Sequence, residues 1–252
     1  MPPADPHSNP LVRKLDNFAR LSFEERRILH HAATERVRRI GARESLVHEG
    51  GKPPDISLLL SGWACRYKML SDGRRQILAF LIPGDLFEQN GHVLREMDHS
   101  IGTLTPVEVG EIARPRFDEV LSERPRIAQG LLWDTLVGAA IQREWTVNLG
   151  RRDAPERVGH LLCELFVRLQ SVGLTLGNRC DLPLTQNELA DATGMSTVHV
   201  NRTIQDLRAA NLIILREKTL TIPDMDTLKR ATRFSPTYLH LQRVGGHLDA
   251  SD

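Results

Sequence analysis

The sequence predicts an α+β fold in three successive parts: an antiparallel β-sandwich or barrel, one long helix, and a winged helix-turn-helix. Three observations carry this expectation. Short apolar runs cut by glycine turns fill residues 41–114, an apolar helical run without an internal proline occupies residues 125–152, and two capped helices joined by a glycine turn lie between Leu184 and Arg208, with a hairpin after them.

A chain of 252 residues accommodates two domains, each able to bury its own core. Its 33 basic and 32 acidic side chains leave a net charge of +1, so any field for nucleic acid must come from local placement of Arg and Lys. Cys65, Cys163 and Cys180 are odd in number and widely spaced, which makes neither a disulfide framework nor a metal-ligand cluster and fits a reducing cytoplasm. Residues 1–10 lack the basic-then-apolar order of a signal peptide, and no run approaches the length of a membrane span. The expectation is a soluble, cytoplasmic protein with no membrane partner, no metal, no cofactor, and a disordered tail over residues 1–10.

Helical spacing begins at Leu11 and runs to Arg20. It resumes after the capping box Ser22-Phe23-Glu24-Glu25 and reaches about Ile40. The texture then changes. Ser45-Leu46-Val47-His48, Ile56 to Leu60, Trp63 to Met69 and Gln76 to Leu81 are separated by Gly50-Gly51, Ser61-Gly62, Ser71-Asp72-Gly73 and Pro83-Gly84-Asp85. Evenly spaced short strands of this kind close into a sandwich or barrel whose interior is either filled by side chains or holds a small ligand.

The run from Pro125 to Arg152 is too apolar for one small sheet to cover. One stripe, Leu132, Leu136, Ala139, Arg143, Thr146 and Leu149, suits pairing with the same helix of a second subunit; a stripe through Trp133, Val137, Ala140 and Val147 competes with it. A single buried helix in a monomer is the alternative. Asp153-Ala154-Pro155-Glu156 caps the next helix, which reaches about Val172, with Pro155 tolerated in the first turn. That cap marks a hinge between domains.

Thr185 with Glu188 makes a capping box, and Ser196 after Gly194 supplies the N-cap of the following helix. On that second helix Val200, Ile204 and Leu207 recur at core spacing, leaving Thr197, Val198, Asn201, Arg202 and Gln205 to point elsewhere, as candidates for a DNA major groove. An ordinary αα-hairpin shares the bare pattern. The two β-rich runs between Asn211 and Pro223 read as a wing, with Arg216 and Lys218 at its tip where phosphates would run; a solvated turn carries such charges equally well.

Three blocks, in one order, resemble the Crp/Fnr family of transcription regulators, relatives of the cyclic-AMP receptor protein, from about Leu11 to about Thr232. Ser61 through Phe80 with Pro83-Gly84-Asp85-Leu86-Phe87 resembles the family's sensory β-roll, a cyclic-nucleotide-binding-like jelly roll. Asp153 through Leu162 resembles its hinge, and the winged helix-turn-helix completes the series. The resemblance implies a β-roll domain over 11–124 with its N-terminal helices, a dimerisation helix over 125–152, a DNA-binding domain over 153–235 and a flexible tail over 236–252. It implies a sequence-specific regulator that binds a palindromic operator in double-stranded DNA as a homodimer, contacts RNA polymerase near residues 171–180, and takes its signal at the β-roll.

By position in the family motif, Thr197, Val198 and Arg202 read bases, while Ser196, His199, Asn201 and Gln205 sit nearer the backbone. Thr185 and Gln186 at the start of the first helix hold phosphate with Arg216 and Lys218. Arg202 matches the arginine that pairs with guanine O6 and N7, and Val198 stands where relatives often carry a glutamate, so it packs on a thymine methyl instead. The matching effector pocket is Gly84, Asp85, Leu86, His99 and Ser100 with Gln142 and Arg143. Asp85 follows the glycine, Asp98 or His99 stands where a cyclic phosphate needs arginine, and Gln142 and Arg143 replace a hydroxyl pair.

A cyclic-nucleotide-responsive regulator of the same fold is therefore the runner-up, and the effector is unassigned. The iron-sulfur branch lacks its N-terminal cysteines, since none precedes Cys65, and a haem sensor would need a ligand such as His92 or His99. A cupin-type enzyme would need paired metal-ligand spacing that His92 and His99 do not offer, so no catalytic residues are assigned. A ligand-sensing module that docks proteins and not DNA is the remaining rival, and Arg202, Arg216 and Lys218 argue against it.

Overall fold

The computed structural model describes residues 9–52, 55–87, 93 and 95–241, in two compact units: 9–68 with 80–138 and 240–241, and 69–79 with 139–239. His92 and residues 1–8 of the expected tail lie outside the described residues.

The first unit opens with α1 (Pro10–Leu15). The Asn9 side chain accepts from the Leu11 N–H at 2.9 Å and Pro10 takes the first turn, so both belong to the fold and not to a tail. The helix stops well before Arg20, and Phe18 and Leu21 are buried from irregular chain beyond it. α2 (Phe23–Thr34) carries the expected Ser22–Glu25 capping box, with both bonds formed. It ends at Thr34 and not near Ile40.

Val37–Ile40 is instead β1, paired antiparallel with β8 (Val107–Ile112) from Val37 opposite Gly110 to Ile40 opposite Val107. Four rungs of ladder, with Arg38 on Glu111 at 2.8 Å and Arg39 on Glu108 at 2.9 Å, outweigh the local helical spacing. Gly110 lies so close beneath α2 that a Cβ there would stand 2.0 Å from the Ala33 carbonyl oxygen.

The strands between them are β2 (Ser45–Val47), β3 (Ile56–Ser61), β4 (Ala64–Met69), β5 (Arg75–Leu81), β6 (Leu86–Phe87) and β7 (Ser100–Thr103). They form two sheets, β1-β8-β3-β6 and β2-β7-β4-β5, and every expected strand run is present. Ile40, Leu59, Phe87, Val107 and Val109 from one sheet meet Val47, Ala64, Leu81 and Ile101 from the other, with Met97, in a common buried core. Of the two sequence-level alternatives for this interior, filling by side chains is the one observed among the described residues. α3 (Arg114–Glu123), with Pro115 in its first turn, follows the last strand and was not expected.

α4 (Pro125–Arg151) matches the long helix within one residue. Its two candidate stripes differ in exposure along most of their length. Leu132, Leu136, Ala139, Arg143, Thr146 and Leu149 are exposed, whereas in the competing register Val137 and Ala140 are buried, Trp133 is half-buried and Val147 is exposed.

The second unit contains the C-terminal part of that helix, α5 (Ala154–Ser171), α6 (Gln186–Thr193), α7 (Thr197–Ala209) and α8 (Met225–Thr232). A small sheet β11-β12-β10-β9 joins them, from β9 (Thr175–Leu176), β10 (Arg179–Asp181), β11 (Ile214–Arg216) and β12 (Thr219–Thr221). α5 starts at the expected Asp153–Glu156 box. Residues 171–180, expected as a loop, contain the β9–β10 hairpin, whose turn passes through Gly177 at φ +59°.

α5 makes room for a side chain of α8: a Cβ on Gly159 would stand 2.3 Å from the Thr232 Cγ2. Beside them Glu164, fully buried, accepts from the Trp145 indole N–H at 3.1 Å and from the Tyr238 hydroxyl at 2.9 Å, with Arg168 at 3.4 Å. Burial pushes its carboxyl above the usual range, against the opposing pull of Arg168 and these donors. Tyr238 belongs to a 3₁₀ turn, Pro236–Leu239, in which Leu239 is buried. The expected flexible tail therefore does not begin at 236, because Tyr238 and Leu239 are tied into the core. His160, ringed by Phe234 and Tyr238, is held neutral: burial, then the Arg152 charge, takes its pKa down to about 3.

Candidate functional site

The helix-turn-helix is built by its caps. Thr185 Oγ1 accepts from the Glu188 N–H at 3.2 Å while the Glu188 carboxylate accepts from the Thr185 N–H at 2.6 Å, so α6 begins at the expected place. Gly194 ends it with φ +65°, the left-handed geometry a side chain resists. Ser196 then accepts from the His199 N–H at 3.3 Å and starts α7. Val200, Ile204 and Leu207 are buried as expected, together with Thr203, and they set the opposite face of α7 outward.

That outward face carries the predicted residues. Val198 is 73% exposed, and His199, Arg202 and Gln205 are exposed, with Thr197 and Asn201 partly so. Among the described residues Arg202 has no hydrogen bond or ion pair, which leaves its five donors available. The polar side chains beside it are not loose. Thr197 donates to Asn187 Oδ1 at 2.9 Å, Asn201 donates to Gln186 Oε1 at 2.9 Å, and Gln205 donates to Asn201 Oδ1 at 2.9 Å.

The ladder ends on α6. Gln186 and Asn187, exposed at the N-terminus of α6, accept from α7 through their side-chain oxygens, which leaves the amide nitrogens as their donors. Asn187 was not singled out from the sequence. Its only local sign is its place two residues after the Thr185 cap, on the exposed side of the first turn.

The wing is the two-strand hairpin β11–β12, in register from Ile214 opposite Thr221 to Arg216 opposite Thr219. Glu217 and Lys218 form its two-residue turn with φ +49° and +61°, as a tight hairpin of this hand requires. Arg216 and Lys218 are both exposed at this tip. Within the same unit Arg75 Nε lies 2.7 Å from Asp191 Oδ2 on α6, and Gln142 donates to the Leu78 carbonyl at 2.9 Å. Gln142 is thus occupied by backbone, while Arg143 is exposed.

The remaining pocket candidates are occupied in a different way. Asp85, expected to face an effector, is 5% exposed, and its Oδ1 holds Lys14 Nζ at 2.7 Å while its Oδ2 accepts from the Ile82 N–H at 2.8 Å. Lys14 also meets Asp134 at 2.7 Å, so one ammonium joins α1, the turn before β6, and α4. Burial alone would pull that ammonium down; Asp134 and Asp85 outweigh it and hold the pKa above its ordinary value. Gly84, at φ +96°, donates to the Leu59 carbonyl, and Leu86 is buried in β6. His99 pairs with Asp98 at 2.7 Å, and Ser100 accepts from the Glu49 N–H at 3.0 Å. Gly84 to Leu86 lead into one sheet and His99 and Ser100 into the other.

Cys65, Cys163 and Cys180 are all buried, and burial pushes the last two thiols up to about 12. No group of His, Cys, Asp and Glu that could hold a metal ion occurs among the described residues, and no described helix is long and apolar enough to cross a membrane.

Two family models match this architecture: a cyclic nucleotide-binding domain over residues 37–124 and a Crp-like helix-turn-helix domain over residues 156–231. The chain is 30% identical to the transcriptional activatory protein AadR of Rhodopseudomonas palustris, over 70% of this chain and 73% of that one. It is 29% identical to the transcriptional activator protein FnrL of Cereibacter sphaeroides, over 70% of this chain and 72% of that one. Among solved structures, FixK2 from Bradyrhizobium japonicum superposes with a TM-score of 0.69 at 22% identity, covering 78% of this chain and 96% of that one.

Proposed function

Because the chain belongs to the Crp/Fnr family, and is a DNA-binding transcription regulator and not an enzyme, we propose that it binds a palindromic operator as a homodimer. Residues 11–124 receive the signal, residues 125–152, with α4, pair two subunits, and residues 153–235 read DNA. The observation that carries this reading is the outward face of α7, where Arg202, without a polar partner among the described residues, stands beside Val198 and a braced row of polar side chains.

Thr197, Val198 and Arg202 contact base edges in the major groove, with Arg202 bidentate on guanine and Val198 against a thymine methyl. Ser196, His199, Asn201 and Gln205 lie nearer the backbone, and Thr185, Gln186, Arg216 and Lys218 hold phosphates on either side of the groove. The exposed stripe Leu132, Leu136, Ala139, Arg143, Thr146 and Leu149 supplies the twofold contact, since water-facing leucines in a row are poorly accounted for in a monomer.

The β9–β10 hairpin, with Leu176 84% exposed, is the surface offered to RNA polymerase. DNA as the partner puts the protein's work in the bacterial cytoplasm. The signal is not a cyclic nucleotide. Asp85 is committed to Lys14, Ser100 and His99 to their own neighbours, and apolar side chains of both sheets meet in a common core. A buried cyclic phosphate would find no guanidinium at the family position.

Selection of genomic fragments by the purified protein tests the reading at once. Enriched fragments should share two inverted half-sites whose centres lie about 10 base pairs apart. Fragments no richer in any motif than the input would overturn it.

A further inference from the structure

We propose that Asn187 sets the base preference of α7 by holding the hydroxyl proton of Thr197. Thr197 then faces the groove as an acceptor only, and selects a base amino group, adenine N6 or cytosine N4, at its position. This inference rests on the reading of Thr197 as a base contact.

The chemistry starts from the hydroxyl. A threonine Oγ carries one proton and two lone pairs, so an unrestrained threonine serves either base type by rotating its O–H. Here that proton is already directed. Thr197 Oγ1 donates to Asn187 Oδ1 at 2.9 Å, and Asn187 lies on the preceding helix of the same unit, ten residues away. What remains for an incoming base are the lone pairs, which match the N–H of adenine N6 or cytosine N4 and oppose guanine O6, guanine N7 and thymine O4. To donate to any of the latter, Thr197 must first give up its bond to Asn187.

The neighbouring bonds run in the same sense. Gln205 donates to Asn201, and Asn201 donates to Gln186, each at 2.9 Å, so here too the α7 side chain gives the proton and the α6 side-chain oxygen accepts it. Asn187 and Thr197 are the short version of this arrangement, and its effect falls on a residue assigned to a base.

The test is selection from a library with randomised half-sites, using the full-length protein and its Thr197→Val, Asn187→Ala and Asn187→Asp variants. The intact protein should enrich adenine or cytosine at one position of each half-site. Thr197→Val, which removes the hydroxyl and keeps the shape, should flatten that position and no other. Asn187→Ala frees the proton and should shrink the preference by about three- to tenfold, the worth of one neutral hydrogen bond, letting guanine and thymine in. Asn187→Asp keeps the acceptor, so the preference should survive even as a carboxylate near phosphates weakens binding to all sequences alike. A full preference in Asn187→Ala, with Thr197→Val flat, would overturn the role of Asn187 and leave Thr197 a base contact. Loss of the preference in Asn187→Asp would overturn it too. An unchanged profile in Thr197→Val would instead remove the base-contact reading on which the proposal stands.

Discussion

The two units treat their polar side chains in opposite ways. In the β-roll, the groups at the family's ligand positions are bonded to the protein itself: Asp85 to Lys14 in the interior, and Ser100 to the Glu49 backbone and His99 to Asp98 nearer the surface. In the DNA-binding unit, the groups at the recognition positions face out, and Arg202, Arg216 and Lys218 are exposed. A shared fold therefore need not carry its input chemistry with it.

The sharpest way to break this contrast is on the inward side. Lys14→Met would leave the Asp85 and Asp134 carboxylates buried with no cation between them, and should lower stability by about 3–5 kcal/mol in chemical denaturation. A loss below about 1 kcal/mol would mean the two acids are solvated or find another partner.

On the outward side, Arg202→Ala should leave stability unchanged and cost about 1–3 kcal/mol of operator binding, relaxing one guanine in each half-site. Equal losses on operator and random DNA would contradict its assignment to a base.

His160 shows that the DNA-binding unit also hides polarity, but in neutral form. With a folded pKa of about 3 against 6.5 when free, the unfolded chain takes up a proton first as pH falls. The associated stability is fully present above pH 6.5 and declines on acidification toward pH 3, with about 2 kcal/mol gone by pH 5. Glu164, shifted upward, acts in the other sense, its contribution being present in acid and lost as pH rises through its folded value. The difference between the protein and His160→Gln isolates the histidine: the variant should show a flatter decline from pH 8 to pH 5, and parallel curves would refute it.

Lys218→Ala should weaken operator and random DNA alike and reduce the slope of log affinity against log salt by about 1. The smallest expected effect is none at all. Cyclic AMP and cyclic GMP should not change operator affinity, and a reproducible tenfold gain, about 1.4 kcal/mol, would reopen the pocket.

What was legible in the sequence follows the range over which each signal acts. The caps Thr185–Glu188, Gly194 and Ser196 involve neighbours within four residues, and α6 and α7 begin and end where those residues indicate. The exposed and buried stripes of α4 could be drawn from periodicity, yet only the packed helix chooses between them. β1 was hidden because Val37 and Ile40 also suit a helical period, and the partner that makes them a strand lies at Val107–Ile112.

Lys14 and Asp85 are 71 residues apart, so nothing local announces their pairing, and Asp85 read as a pocket residue by its place after Gly84. Tyr238 looked like part of a tail for the same reason, since its partner Glu164 is on α5. Asn187 falls between these cases. Its position at the helix start was plain, but its bond to Thr197 depends on how the turn sets α7 across α6.

The wing tip makes one more point, about what selection tolerates. Glu217 and Lys218 both occupy left-handed backbone, where a side chain costs roughly 1 kcal/mol that glycine or asparagine would largely avoid. The hairpin thus keeps a less comfortable turn with a cation at its apex. A library of turn variants sorted for thermal endurance should drift to Asn-Gly at these two positions, and the same library sorted for promoter occupancy should drift back to a basic residue at 218. With both outcomes the apex would record a compromise, local fitness of the chain conceded to the tenancy of the promoter.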